Sequence, residues 1–334
     1  MTSKTLIIPT LKDIEEAKTR ISKYLLKTPL IYSPGLSRLT GAEVYIKYEN
    51  HNPTGAFKVR GGINLVSKLM QLPQVVNSGQ MPVLLAGSTG NHGQSISYAG
   101  KLFGFKVVII VPEKSNLAKV QAMKALGAEV ILHGKDVCES WEYCEKLSEE
   151  GKYHYVHSVI EPDLFTGVGT IGLEVYEDLP EVDFYITAVG GGSGICGASI
   201  ALKSKNPKIK TYGVQASGAS AVYDSFKQRK IITHPNLNTF AEGLATRSTY
   251  DYAYNIMQKY VDDMFLVDDN EMKEAILLYL EHCKTLAEGA GAASLAGLLK
   301  NKATFIGKKV VCVLTGGNLR LETLKEIMKT SIML

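Results

Sequence analysis

Apolar residues recur along this chain in two rhythms. Over residues 11–26, Ile14, Ala17, Ile21 and Leu25 fall at helical spacing and predict an amphipathic helix, broken by Thr28-Pro29. Residues 43–49 alternate and predict a strand. Residues 57–70, with Ile63, Val66 and Met70 on one face, predict a helix. From residue 83 onward, short apolar strands at 83–86, 106–111 and 129–132 alternate with helices to about 103, at 116–126 and at 136–149, the last two closed by Gly127 and Gly151. Residues 161–172 are glycine-rich and read as a turn, with 172–179 completing a helix. Strands at 183–189, 209–215 and 309–314 and helices at 195–203, 269–286 and 289–299 follow, with 242–246 as a loop. Strand–helix alternation in both halves predicts an α/β protein of two doubly wound open-sheet domains with a cleft between them. No repeat or low-complexity linker interrupts it.

Composition narrows the class. The 334 residues are 45% hydrophobic and 21% charged, enough for a sizeable core. A net charge of +4 without a basic run does not suggest nucleic-acid binding. No apolar run approaches a membrane span, and residues 1–9 lack the basic, apolar and cleavage regions of a secretory leader. The five cysteines are scattered without a C-x-x-C pair, which argues against a disulfide framework or a zinc site. The expected location is the cytoplasm.

Three loops carry candidate chemistry. Asn50 to Gly62 is a turn running into a helix, marked by Pro53 and Gly55, with Thr54 as a candidate cap and Lys58 in the first helical turn. A helix N-terminus disfavours a cation, so a lysine held there in a dry site moves toward its neutral, nucleophilic form, able to make a Schiff base with an aldehyde. The plain alternative is an exposed loop lysine. Residues 87–94 (Gly-Ser-Thr-Gly-Asn-His-Gly-Gln) join a strand to a helix and offer backbone N–H groups, two hydroxyls and an amide. Those are the parts of an anion site, for a carboxylate or a phosphate, although a capped helix start would use some of them too. Gly190-Gly191-Gly192-Ser193-Gly194 opens another helix after a strand. Its glycines let backbone approach a phosphate at a helix N-terminus, and its spacing matches neither the dinucleotide fingerprint nor a P-loop.

Pro53 to Gly61, Ser88 to Gln94, Gly190 to Ser193 and Thr315-Gly316-Gly317-Asn318 occur in an order and at a spacing that resemble the fold-type II pyridoxal phosphate enzymes, tryptophan synthase β-like in fold. The likeness is to the threonine/serine dehydratase and serine racemase branch and covers about residues 10–325. It implies a discontinuous large cofactor domain (residues 1–53 and 156–334) and a small domain (54–155) carrying the substrate-carboxylate loop. It implies pyridoxal 5'-phosphate held by Lys58, which is also the base for the α-proton. Phe57 would pack near the pyridine ring, and Gly190, Gly191, Gly192, Ser193 and Gly194 would cradle the phosphate. Asn91 would bond the ring 3-hydroxyl, and Ser88, Thr89, Gly90, Asn91 and His92 would clamp the substrate carboxylate. Thr315 would meet the pyridine nitrogen; a neutral hydroxyl there leaves that nitrogen mostly unprotonated, which favours β-elimination over transamination. The implied reaction is deaminating dehydration of L-threonine, and of L-serine, to 2-oxobutanoate or pyruvate and ammonia, in a homodimer or homotetramer.

The sequence departs from the family in places. Ala56 replaces a usual serine. Thr89 stands where racemases carry a serine acting on the opposite face of the substrate; its hydroxyl is present but stiffer, so racemisation is less expected. Gln215, Ala219 and Ala221 occupy the region where metal-binding members carry acidic ligands, so no family-type divalent metal is expected. The chain ends at Leu334 directly after the catalytic core, so an isoleucine-sensing C-terminal domain is not expected. Threonine synthase shares the Ser-Thr-Gly-Asn loop but usually continues its lysine motif as Lys-Asp-Arg, where this chain has Lys58-Val59-Arg60. A non-catalytic cofactor-binding regulatory protein would more naturally lack the lysine.

Overall fold

The structure is a computed structural model and describes residues 7–78 and 81–331. The leader reading for residues 1–9 therefore falls largely on residues outside the described ones.

Ten strands form two sheets among the described residues: β1 (Leu30–Tyr32), β2 (Glu43–Tyr48), β3 (Val83–Gly87), β4 (Val107–Val111), β5 (Glu129–Leu132), β6 (Tyr153–Tyr155), β7 (Phe184–Ala188), β8 (Lys210–Ala216), β9 (Asp263–Val267) and β10 (Lys309–Leu314). The six-stranded sheet runs β1-β2-β10-β7-β8-β9 and the four-stranded sheet β5-β4-β3-β6. Every pairing is parallel except β1 with β2. The two sheets and their covering helices bear out the α/β expectation.

Strand order decides where a ligand can sit. From β7 the large sheet grows outward through β8 and β9, while β10 returns to the other side of β7. From β3 the small sheet grows through β4 and β5, while β6 returns to the other side of β3. At such a reversal the loops leaving adjacent strand ends diverge and open a crevice. The glycine loop leaves β7, Thr315 to Asn318 leave β10, and the serine–asparagine loop leaves β3. Three of the four sequence motifs thus follow strands at a reversal.

Several boundaries differ from the sequence expectation. The first helix is Leu11–Ile21, shorter than 11–26, because the chain turns after Ile21; Leu25 is still buried. The helix expected over 269–286 is α-helical only over Asp269–Leu278, continues as a π-turn over Tyr279–Cys283, and ends at Lys284, whose φ of 54° is left-handed. Residues 161–172 are not a turn; Glu161 is the N-cap and the rest belong to one helix, Pro162–Asp178. Their glycines serve helix packing. A Cβ on Gly172 would come 2.6 Å from the Ala198 carbonyl, and one on Gly167 would come 2.6 Å from the Arg60 carbonyl. Without those side chains the Val59–Leu69 and Ser193–Lys205 helices both lie backbone to backbone against Pro162–Asp178.

One of these contacts is reinforced by charge. Arg60 is fully buried and donates to Glu49 (2.7 and 2.8 Å) and to Glu174 (2.6 and 2.8 Å), while Lys47 donates to Glu174 at 2.6 Å. Two cations and two carboxylates thereby tie the Val59–Leu69 helix to the end of β2 and to Pro162–Asp178.

Candidate active site

The lysine turn is held by the strand end opposite it. Phe57 N–H donates to the Thr315 carbonyl at 3.0 Å, and Gly317 N–H donates to the Gly55 carbonyl at 2.9 Å. The helix that follows is Val59–Leu69, with Lys58 at its N-cap, so it starts later and ends earlier than 57–70. Thr54 does not cap it; its hydroxyl reaches the Ala56 carbonyl at 3.4 Å instead.

Lys58 lines a cleft together with the loops that leave β3, β7 and β10. Its Nζ donates to Ser193 Oγ at 3.0 Å. Burial pushes its pKa down from 10.5 to about 8, so the exposed-lysine alternative does not hold. The Phe57 ring packs toward the glycine loop, since a Cβ on Gly194 would lie 3.2 Å from it.

The glycine loop is a cradle that side chains would fill. A Cβ on Gly190 would fall 2.2 Å from the Gly243 carbonyl, and one on Gly191 would fall 2.6 Å from Val159. Gly192 has φ +100°, a left-handed conformation that glycine adopts without strain. The first N–H groups of the Ser193–Lys205 helix are free of intrahelical partners there, as in a phosphate site.

The serine–asparagine loop lies across the cleft. Ser88 Oγ accepts from the N–H groups of Gly90 (3.0 Å) and Gly93 (2.9 Å) and so braces its own loop. His92 is buried, with Nε2 3.1 Å from the Val156 carbonyl. A carbonyl only accepts, so Nε2 carries the proton. Burial, with Lys58 nearby, lowers the His92 pKa to about 3 and keeps the ring neutral. Thr89 and Asn91 line the cleft, and Thr315 closes it at the end of β10 with its hydroxyl 3.3 Å from the Ala290 carbonyl. Turning that hydroxyl into the cleft would break only this long bond. The structure therefore brings Lys58, Phe57, Ser88, Thr89, Asn91, His92, Gly190 to Gly194 and Thr315 to one cleft; all of these side chains or backbones line it, with Gly90 in the same loop.

A set of charged residues at and beside the site was not singled out from the sequence. Lys119 is buried, donates to Glu242 at 2.7 Å and lies 3.8 Å from Glu288. Arg320 holds Glu242 from the other side at 3.0 Å, and Arg247 pairs with Asp136. The Lys119 and Arg247 pairs bridge the small-sheet segment and the large-sheet segment beside the cleft. Glu288 accepts from Asn91 Nδ2 at 2.5 Å; burial raises its pKa, and Lys119 and Asn91 oppose that rise only in part. The one sequence signal for Lys119 was a lysine four residues before Met123, on the apolar face of its helix. Trp141, whose Nε1 donates to the Gly87 carbonyl at 2.9 Å, gave no signal beyond a helical position.

Gln215 directs its Oε1 to the Tyr223 N–H (2.8 Å) at the start of the Ala221–Gln228 helix. Among the described residues no group of three or more His, Cys, Asp or Glu side chains is placed to hold a metal ion, and no helix is long and apolar enough to cross a membrane.

Comparison with known proteins gives consistent results. The family profile described as "Pyridoxal-phosphate dependent enzyme" matches residues 21–316. The chain is 37% identical over 323 residues to an L-threonine ammonia-lyase of Thermotoga maritima, covering 97% of this chain and 79% of that protein. It is 36% identical over 333 residues to a catabolic L-threonine dehydratase of Staphylococcus aureus, covering 98% and 94%. Among solved structures, maize serine racemase superposes with a TM-score of 0.88 at 29% identity, covering 98% of this chain and 99% of that one. The processed threonine deaminase isoform 2 of Solanum lycopersicum superposes with a TM-score of 0.89 at 27% identity, covering 97% and 88%. The lysine, the glycine cradle and the neutral strand-end hydroxyl fit the cofactor that the family description names.

Proposed function

Because the chain belongs to the pyridoxal-phosphate dependent enzymes, as a fold-type II member, we propose that its cleft performs deaminating dehydration of L-threonine, and of L-serine, to 2-oxobutanoate or pyruvate and ammonia. This is a carbon–oxygen lyase reaction. The observation that carries it is Lys58: a lysine drawn toward the neutral form by burial, facing a glycine cradle, with a threonine rather than an acid at the end of β10.

Pyridoxal phosphate, when bound, supplies an aldehyde for imine formation and a conjugated ring that accepts the electron pair released at Cα. The chain supplies the rest. Backbone N–H groups of Gly190 to Gly194 and the Ser193 hydroxyl would hold the phosphate, and the Phe57 ring would pack beside the pyridine. The loop from Ser88 to His92 would bind the substrate carboxylate, with Ser88 bracing its shape and neutral His92 anchoring it to Val156, just after β6. The neutral Lys58 Nζ takes the α-proton. Thr315 offers the ring nitrogen a hydroxyl instead of a carboxylate, which limits how far charge is stored in the ring and favours expulsion of the β-hydroxyl. Asn91 would donate an N–H to the ring 3-oxygen. The division into a large domain (residues 1–53 and 156–334) and a small domain (54–155) belongs to the same reading, as do a cytoplasmic location and a homodimer or homotetramer, which light scattering would test.

The test is product formation by cofactor-loaded protein given each amino acid separately. Stoichiometric ammonia and 2-oxobutanoate from threonine are expected. Phosphate release from a phosphorylated homoserine, with no 2-oxo acid from threonine, would make the protein a synthase instead. Thr89 supports a second reading, racemisation, because its hydroxyl-bearing side chain lines the cleft. Chiral analysis of serine left after incubation decides it.

A further inference from the structure

Asn91 reaches the cleft with its amide already oriented by two neighbours. Its Oδ1 accepts from Asn318 Nδ2 at 2.9 Å, and its Nδ2 donates to Glu288 Oε1 at 2.5 Å. The orientation of Asn318 is fixed in turn by a group that cannot be reversed: Asn318 Nδ2 also donates to the Thr54 backbone carbonyl at 2.9 Å, and a carbonyl only accepts. Gly55 makes room for this arrangement. It has φ +68°, and a Cβ there would lie 2.6 Å from Asn318 Oδ1. A backbone carbonyl in the lysine turn thus sets Asn318, and Asn318 together with Glu288 sets Asn91, which lines the cleft with its oxygen already engaged and one N–H uncommitted.

We propose that Asn318 is a positioning residue that makes Asn91 a pure hydrogen-bond donor toward the ring hydroxyl of the cofactor and so holds that oxygen in its anionic form. A donor N–H stabilises an oxyanion over a hydroxyl, whereas a reversed amide would present a carbonyl and favour the protonated oxygen. The inference rests on the assignment of Asn91 to the ring oxygen made above. It adds a role for the last residue of the Thr315-Gly316-Gly317-Asn318 motif, which otherwise follows the ring-nitrogen partner without a task.

The experiment is a spectroscopic pH titration of cofactor-loaded protein, following the visible band against the near-ultraviolet band, with cofactor content measured independently after denaturation. In Asn318→Asp, an acceptor replaces the donor; in Asn318→Ala, the donor is removed without adding charge. Both should keep the cofactor while the midpoint for loss of the visible band moves up by about one pH unit, a tenfold change in the ionisation equilibrium. Asn91→Asp should move it at least as far, and Asn318→Ala added to Asn91→Asp should move it no further. Full cofactor content with an unmoved midpoint in both Asn318 variants overturns the proposal, as does loss of cofactor from Asn318→Ala, which would make the residue a loop support only. An unmoved midpoint in Asn91→Asp would instead remove Asn91 from the ring oxygen, a failure of the underlying assignment.

Discussion

Capture of pyridoxal phosphate by the cofactor-free enzyme should accelerate with pH through an inflection near 8. The reacting species is neutral Lys58, and burial lowers its pKa from 10.5 to about 8. At pH 7 an amine at the ordinary value is neutral about 0.03% of the time, whereas one at about 8 is neutral about 9% of the time, a gain of about 300-fold. The assay is rapid mixing of resolved enzyme with cofactor between about pH 6 and about pH 10, following growth of the visible band. A small-molecule amine of known pKa, run in parallel, removes the cofactor's own titrations. Lys58→Ala should give no visible band and no turnover. A capture rate that keeps rising without inflection to pH 10 would show an ordinary lysine and would refute the argument that burial activates it. Turnover surviving in Lys58→Ala would remove the residue from the chemistry altogether.

Gly190→Ala should weaken cofactor affinity by at least about tenfold, because its Cβ would sit 2.2 Å from a backbone carbonyl; a fluorescence titration measures it, and unchanged affinity would show that the cradle can shift. Arg60→Met should cost about 3–5 kcal/mol in denaturant unfolding, since it leaves two buried carboxylates with Lys47 alone. In the parent protein burial raises the Glu174 pKa, but Arg60 and Lys47 outweigh that and hold it below 4.5, so this stabilisation is present above about pH 4.5 and lost as pH falls through the folded value. The gap between variant and parent should therefore narrow in acid; a gap below about 1 kcal/mol at neutral pH would contradict the account. Magnesium and a chelator should leave turnover and thermal unfolding unchanged, given Gln215, Ala219 and Ala221; activation by magnesium that chelation reverses would contradict that expectation.

Local pattern carried a large part of this protein. One alternating run, at β2, and short apolar runs elsewhere located seven strands; β3 and β4 are buried almost throughout, and a strand buried on both faces is continuously apolar. Glycine, serine and asparagine clusters after those strands located the loops, because only small or cap-forming residues suit a strand-to-helix turn that binds an anion. β1, β6 and β9 were not legible: two have three residues each, and β9 begins with Asp263 and exposes part of its length, so none gives a period long enough to read. The helix Pro162–Asp178 was misread because glycine signals a turn locally, whereas here it serves contact with two other helices, a tertiary fact.

The sequence by itself determined which groups could do the chemistry: one lysine at a helix start, one glycine cradle, one serine–asparagine loop and one neutral hydroxyl at a strand end. Their identities and their places at strand ends are local properties, set by a few neighbouring residues. Only the tertiary structure decided that the loops after β3, β7 and β10 share a cleft, because strand order depends on pairings between residues far apart in the chain. It also decided how each group is tuned. The dryness around Lys58, the neutrality of His92, the ion pairs of Lys119 and the fixed face of Asn91 all depend on neighbours tens to hundreds of residues away, and no window of sequence contains them.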